Sequence, residues 1–201
     1  MIDALLAAWF GELDGGLCSS ARRRALFRAD PQFDAALRAR FGAGVEAALA
    51  GARDDLAATP RGRLALVLLL DQLPRNLFRG TPRAFAGDAA ALAQVRAAVA
   101  AGEDAALPLE PRLFLYLPFE HAEDRAAQEA GTSLLEATLA EQPPASQAAA
   151  VVQRYLGHAR EHRDLIRTFG RFPHRNAVLG RADTPAEAAH LAGDGRRFGQ
   201  G

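Results

Sequence analysis

TPRGRLALVLLLDQLPRN, residues 59–76, decides the fold. Thr59-Pro60 sets a hydroxyl acceptor one residue ahead of a proline, the pattern of an N-cap followed by a first helical turn. From Leu64 to Leu70 every residue is apolar. A helix that is apolar all round must be enclosed on all sides, and this run is far too short to span a bilayer. It is read as the central buried helix of a helical protein. Pro74 disfavours helical geometry in the residue before it, so the helix is expected to end near Leu73. Asp71 follows the apolar run directly. A carboxylate there is opposed by the helix dipole and by desolvation, so it needs a cation, and an arginine fork is the natural partner. Asp71 is then either half of a buried clamp or part of a pocket wall.

Outward from that helix the same signals recur. Asp30-Pro31 opens a stretch in which Phe33, Leu37 and Phe41 form one apolar stripe at i, i+4, i+8. Residues 87–102 read as a helix closed by Gly102. EPRLFLYLPFEHAED (110–124) reads as a helix interrupted at Pro118 and resuming toward Leu139. Residues 143–170 form a long helix stopped at Gly170, and Thr184-Pro185 opens a last short one. β-Branched residues are sparse, and no strand pattern emerges. The class is all-α, built of antiparallel helical hairpins with short loops. The 201 residues form one domain, 1–201, with 194–201 expected as a flexible tail.

Composition excludes several functions. The 24 basic residues are all arginine and balance 24 acidic ones. Bulk charge therefore supports neither a nucleic-acid nor a membrane-surface role. Without lysine there is no GxxxxGK[ST] phosphate loop. There is no GxSxG, and serine is confined to positions 19, 20, 133 and 146, so a serine nucleophile is not expected. Cys18 is the only cysteine. That forbids an internal disulfide and a CxxC metal site and suits a reducing, cytoplasmic setting. Cys18 sits in a Gly-rich loop with no base nearby in sequence, weak grounds for a nucleophile. The N-terminus lacks a basic region and carries Asp3 and Glu12, so it does not read as a signal peptide.

Polar residues crowd into four stretches: Asp71-Gln72 with Arg75-Asn76 and Arg79; Glu120, His121, Glu123 and Asp124; His158, Glu161, His162 and Asp164; and FGRFPHRN (169–176). His121 is a candidate general base, or a hydrogen-bonded structural histidine. His158 and His162 stand at i, i+4, but the motif is HxxxH rather than HExxH, and Arg160 and Arg163 disfavour a cation. No metal or other cofactor is expected. In the last stretch, Arg171, His174 and Arg175 follow a helix end. They are either an anion site or caps for exposed helix carbonyls. An internal echo links residues 71–90 with 171–190: Arg75-Asn76 matches Arg175-Asn176, and Thr81-Pro82 matches Thr184-Pro185.

TPRGRLALVLLLDQLPRNLFRGTPRAFAGD, LPFEHAED and HRDLIRTFGRFPHRNAVLGRADTP together resemble the uncharacterised bacterial family called domain of unknown function 924. The likeness runs from WFGELD to the RRFGQG tail. It implies an all-helical fold similar to the tetratricopeptide-repeat superfamily, an α-solenoid or bundle, and no established activity. Asp71, Arg75, Asn76, Glu120, His121, His162, Arg171, His174, Arg175 and Asn176 match the family pattern; Leu56 and His158 depart from it. The residues themselves support three readings. In the first, Arg75, Asn76, Arg171, His174, Arg175 and Asn176 bind an anionic small molecule or a peptide carboxylate, with Asp71 and Glu120 orienting them from behind. In the second, Glu120, His121 and His174 act as acid–base groups of a metal-free hydrolase or isomerase, with Arg171 and Arg175 stabilising charge. In the third, the motifs only hold helices in register. Oligomeric state is not legible.

Overall fold

The computed structural model describes residues 1–193; the expected tail at 194–201 lies outside the described residues. Among the described residues ten α-helices follow one another: α1 (Ile2–Phe10), α2 (Ser20–Leu26), α3 (Pro31–Leu49), α4 (Pro60–Val67), α5 (Leu73–Leu77), α6 (Asp88–Ala100), α7 (Leu109–His121), α8 (Arg125–Ala140), α9 (Gln147–Phe169) and α10 (Pro185–Ala192). The chain is all-α. The strand elements among the described residues are two-residue pieces, β1 (Leu13–Asp14) and β2 (Leu17–Cys18), paired antiparallel. Gly15 and Gly16 between them both have positive φ, as this tightest of hairpins requires. The hairpin escaped the sequence reading because two residues per strand show no alternation.

The expected caps form. Asp30 accepts from the amides of Gln32 and Phe33, and Thr59 from Gly62. Ser19, Asp124, Ser146 and Thr184 cap α2, α8, α9 and α10 in the same way. Each such contact satisfies one of the orphan amides of a helix start and contributes about 1 kcal/mol. Gly102 and Gly170 follow α6 and α9 in the left-handed conformation.

Leu64 to Leu70 are buried at every position, and α4 packs against α1, α6 and α7. The end of this helix departs from expectation. It does not stop at Leu73. Residues Leu68–Gln72 widen into one π turn, with the Leu73 amide donating to the Leu68 carbonyl, and α5 continues through Pro74 to Leu77. Proline lacks the amide that would bond four residues back, and its ring crowds that carbonyl. The wider turn accommodates both. Pro118 likewise leaves α7 unbroken; the break comes at Ala122, with α8 restarting at Arg125.

Helices α7, α8 and α9 run up, down and up. Arg160 pairs with Glu136, and Arg167 with Glu129. Across α7 and α8, Arg112 reaches Thr138 and Glu141 while Gln128 donates to the Glu120 carbonyl. One contiguous apolar core runs from Leu5 to Ala159. The C-terminal ends of α2, α5 and α7 converge beside the middle of α9, and a cleft opens there.

Candidate functional site

The cleft has a volume of about 490 Å³, within the range of small-molecule sites. Its floor is built around Asp71, which the π turn places in the interior with no exposure. Arg75 Nη1 lies 3.1 Å from Asp71 Oδ1 and also donates to the Asp71 carbonyl at 2.8 Å. Gln72 Nε2 donates to Oδ2. His121 Nδ1 lies 2.8 and 3.0 Å from the two carboxylate oxygens. Burial pushes the Asp71 carboxyl up, but Arg75, His121 and Gln72 outweigh it and hold it well below the usual carboxylate range. Burial and the Arg75 charge lower His121, against the pull of Asp71. A neutral His121 beside an ionised Asp71 carries its proton on Nδ1, which leaves Nε2 as the basic nitrogen.

Glu120, next in sequence, has the opposite fate. Burial, reinforced by Asp71 and Glu161, pushes its carboxyl up to about 8. His162 Nδ1 stands 3.1 Å from Glu120 Oε1 and 2.9 Å from the His158 carbonyl. Burial drives His162 well below the ordinary histidine range. Burial and Arg175 bring His174 down to about 4. At neutral pH the floor therefore offers uncharged histidines and an uncharged carboxyl.

Its charge comes from arginine. Arg75 grips Asp88 with both Nη atoms, at 2.8 and 3.0 Å. Arg175 takes the same carboxylate at 3.2 Å. The Arg175 guanidinium lies between two rings, 4.6 Å from the Phe85 centroid and 4.5 Å from that of Phe172. Burial, with the neighbouring Arg75 charge, lowers Arg175 to about 10, so it stays charged. Two arginines thus share one aspartate, and the two halves of the internal echo meet at Asp88.

Of the residues singled out from sequence, Arg75, Asn76, Glu120, His121, His174 and Arg175 line the cleft. Asp71 stands behind His121. Arg171 and Asn176 lie elsewhere. Arg171 forks onto Glu187 at 2.6 and 2.7 Å and onto the Ala182 carbonyl, tying the segment to α10. Asn176 Nδ2 donates to Asp183 at 2.7 Å. The segment 171–176 therefore divides between ties to its own C-terminal side and lining of the cleft. Adjacent residues in a short turn point apart, so a shared motif did not mean a shared target.

The model of a family of bacterial proteins of unknown function, domain of unknown function 924, matches residues 5–195. The chain belongs to that family. A solved structure, that of the protein of unknown function ATU0120 from Agrobacterium tumefaciens, is 37% identical and superposes with a TM-score of 0.78, covering 94% of this chain and 96% of that one. No curated protein shows significant similarity.

In this member of the 924 family the sequence reading missed the mouth of the cleft. Arg24, Phe27 and Arg28 come from α2 and the turn after it, and Arg154 comes from α9. The available signal was SSARRRALFRAD (19–30), five charged residues and one aromatic in a short helix and the turn after it. Nothing local shows that this helix faces the end of α7. Its docking depends on Glu110, buried at the start of α7. That carboxylate accepts from the Cys18 amide at 2.6 Å and from Arg23 Nη2 at 2.7 Å, with Tyr155 at 3.3 Å. Burial and Glu110 also push the Cys18 thiol up to about 12, which keeps it protonated at neutral pH. No helix among the described residues is long and apolar enough to cross a membrane.

Proposed function

We propose that the protein binds a small organic anion in this cleft. The carrying observation is the charge of the lining: seven arginines and a single acidic residue, Glu120, which is uncharged at neutral pH. Arg24, Arg28 and Arg154 at the mouth have no carboxylate partner among the described residues, whereas Arg23, Arg75, Arg79 and Arg175 are paired with Glu110, Asp88 and Asp34. The C-terminal ends of α2, α5 and α7 oppose an anion, but that effect is worth only about 0.3–1 kcal/mol each and fades within a turn. Charge-assisted bonds from several arginine forks are stronger and act at contact. Phosphate, citrate and short peptides with free C-terminal carboxylates should be compared by thermal shift. Small anions are expected to raise the melting temperature, less so at high salt, and the double variant Arg28→Gln, Arg154→Gln is expected to lose most of the effect. No shift across the panel rules the reading out. A response confined to peptides would make the ligand a peptide terminus.

A second reading has its own observation: Glu120, His121 and His174 line the same cleft, with a base oriented by Asp71 and an acid kept protonated by burial. In that reading the bound anion is a substrate, His121 Nε2 removes a proton and Glu120 returns one. Proton–deuterium exchange or ester hydrolysis, followed by NMR over a panel of organic acids and esters, tests it. Turnover abolished in His121→Asn, with anion binding retained, supports it; binding without turnover in any member leaves a binding module.

A further inference from the structure

We infer that the anion bound here carries a planar aromatic group, which stacks on Phe27 at the mouth while its acidic group meets the arginines. The inference rests on the anion reading above and narrows the class of ligand.

Phe27 is 57% exposed, the most open of the large apolar residues among the described ones; the others, Met1 and Leu13, do not line the cleft. A single exposed apolar side chain is ordinary on a protein surface. This one is held in place. One side of its ring stacks on buried Phe114, with centroids 5.6 Å apart and planes at 21°, and it meets Tyr155 edge-on at 5.9 Å. An aromatic fixed from behind and open in front loses little freedom on contact with a ligand. The ring is also set among charges. Arg24 precedes it by one helical turn, Arg28 follows it, and Arg154 lines the same cleft from α9, next to Tyr155.

That combination discriminates. A cationic aromatic ligand would be repelled by three arginines without carboxylate partners. An aliphatic anion would satisfy the arginines and leave the ring in water. An aryl or heteroaryl carboxylate or phosphate uses both, since π faces stack offset and guanidiniums fork onto the acid. The volume of about 490 Å³ is also far more than an inorganic anion fills.

Calorimetric titration with matched pairs tests this: phenyl phosphate against cyclohexyl phosphate, and benzoate against cyclohexanecarboxylate. The wild type is expected to bind each aryl member about fivefold or more tightly than its cyclohexyl partner, as ring stacking allows. Phe27→Leu, which retains an apolar contact on Phe114, is expected to bring each aryl affinity down to that of its cyclohexyl partner. Equal affinities within the pairs, or a preference that survives Phe27→Leu, overturn the aromatic inference and leave the anion reading standing. If no anion binds at all, both fall together. Should Phe27→Leu fail to fold in a melting control, the wild-type ratios alone decide.

Discussion

Glu120 shows how one residue can be read from its surroundings. Burial, reinforced by the charges of Asp71 and Glu161 and opposed by that of Arg75, keeps it protonated to about pH 8, and His162 stands 3.1 Å away. In the unfolded chain the same carboxyl ionises near 4.3. Between those values the unfolded state has released a proton that the folded state retains, so stability falls as pH rises, until the folded group also ionises. His121 and His162 are depressed and act in the other direction, but only below about pH 6.5. The clean window therefore lies above that value. From about pH 6.5 to 9 the wild type is expected to lose about 2 kcal/mol that Glu120→Gln does not lose. Urea unfolding of both proteins across the window checks this. Parallel curves would mean that Glu120 is ionised at neutral pH, and the acid–base reading would lose its acid.

At the scale of the element, the π turn at Leu68–Gln72 matters most. It carries the helix past Pro74 and buries Asp71 behind the cleft, where it holds His121 and Arg75. The turn needs room. A Cβ on Gly87 would stand 2.1 Å from the Leu70 carbonyl oxygen, a backbone atom that cannot swing aside. Gly87→Ala is therefore expected to cost about 2–3 kcal/mol and to lower the melting temperature by roughly 5–10 °C. It is also expected to weaken anion binding, because Arg75 and Asp88 flank this contact. An unchanged melting temperature would show that α6 and the turn are not packed this closely. The same element marks the limit of sequence reading. Local chemistry made the caps at Asp30 and Thr59, the stop at Gly170 and the burial of Leu64–Leu70 legible, since each depends on neighbours in the chain. Pro74 and Pro118 look like stops in the sequence and are not, because packing against surrounding helices outweighs the local cost of a proline. The mouth residues were invisible for the same reason: Arg24, Phe27 and Arg28 acquire their place only when Arg23 docks on Glu110, 87 positions away.

For the whole molecule, the question is why two arginines converge on one aspartate. Asp88 opens α6, Arg75 comes from α5, and Arg175 comes from the segment that follows α9, so the contact joins distant parts of the chain. The two arginines are not equivalent. Arg75 holds Asp88 with both arms and also neutralises Asp71, which has no exposure. Removing it leaves a buried aspartate short of its main cation, so Arg75→Ala is expected to cost about 3–5 kcal/mol. Arg175 makes one contact to an aspartate already gripped, and its Nε has no hydrogen-bond partner among the described residues. Its charge is disfavoured by burial and by Arg75. Arg175→Met replaces the guanidinium between Phe85 and Phe172 with an uncharged thioether that can pack on both rings, and is expected to leave stability unchanged or raise it by about 1 kcal/mol. Its affinity for anions is expected to fall at least tenfold, equivalent to about 1.4 kcal/mol. Both outcomes together would mean that Arg175 serves a ligand rather than the fold. Denaturant unfolding and anion titration of the same two variants decide the point. If Arg175→Met unfolds as readily as Arg75→Ala and binds anions as wild type does, the arginines are ties between helices, and the cleft has no claim on an anion through them.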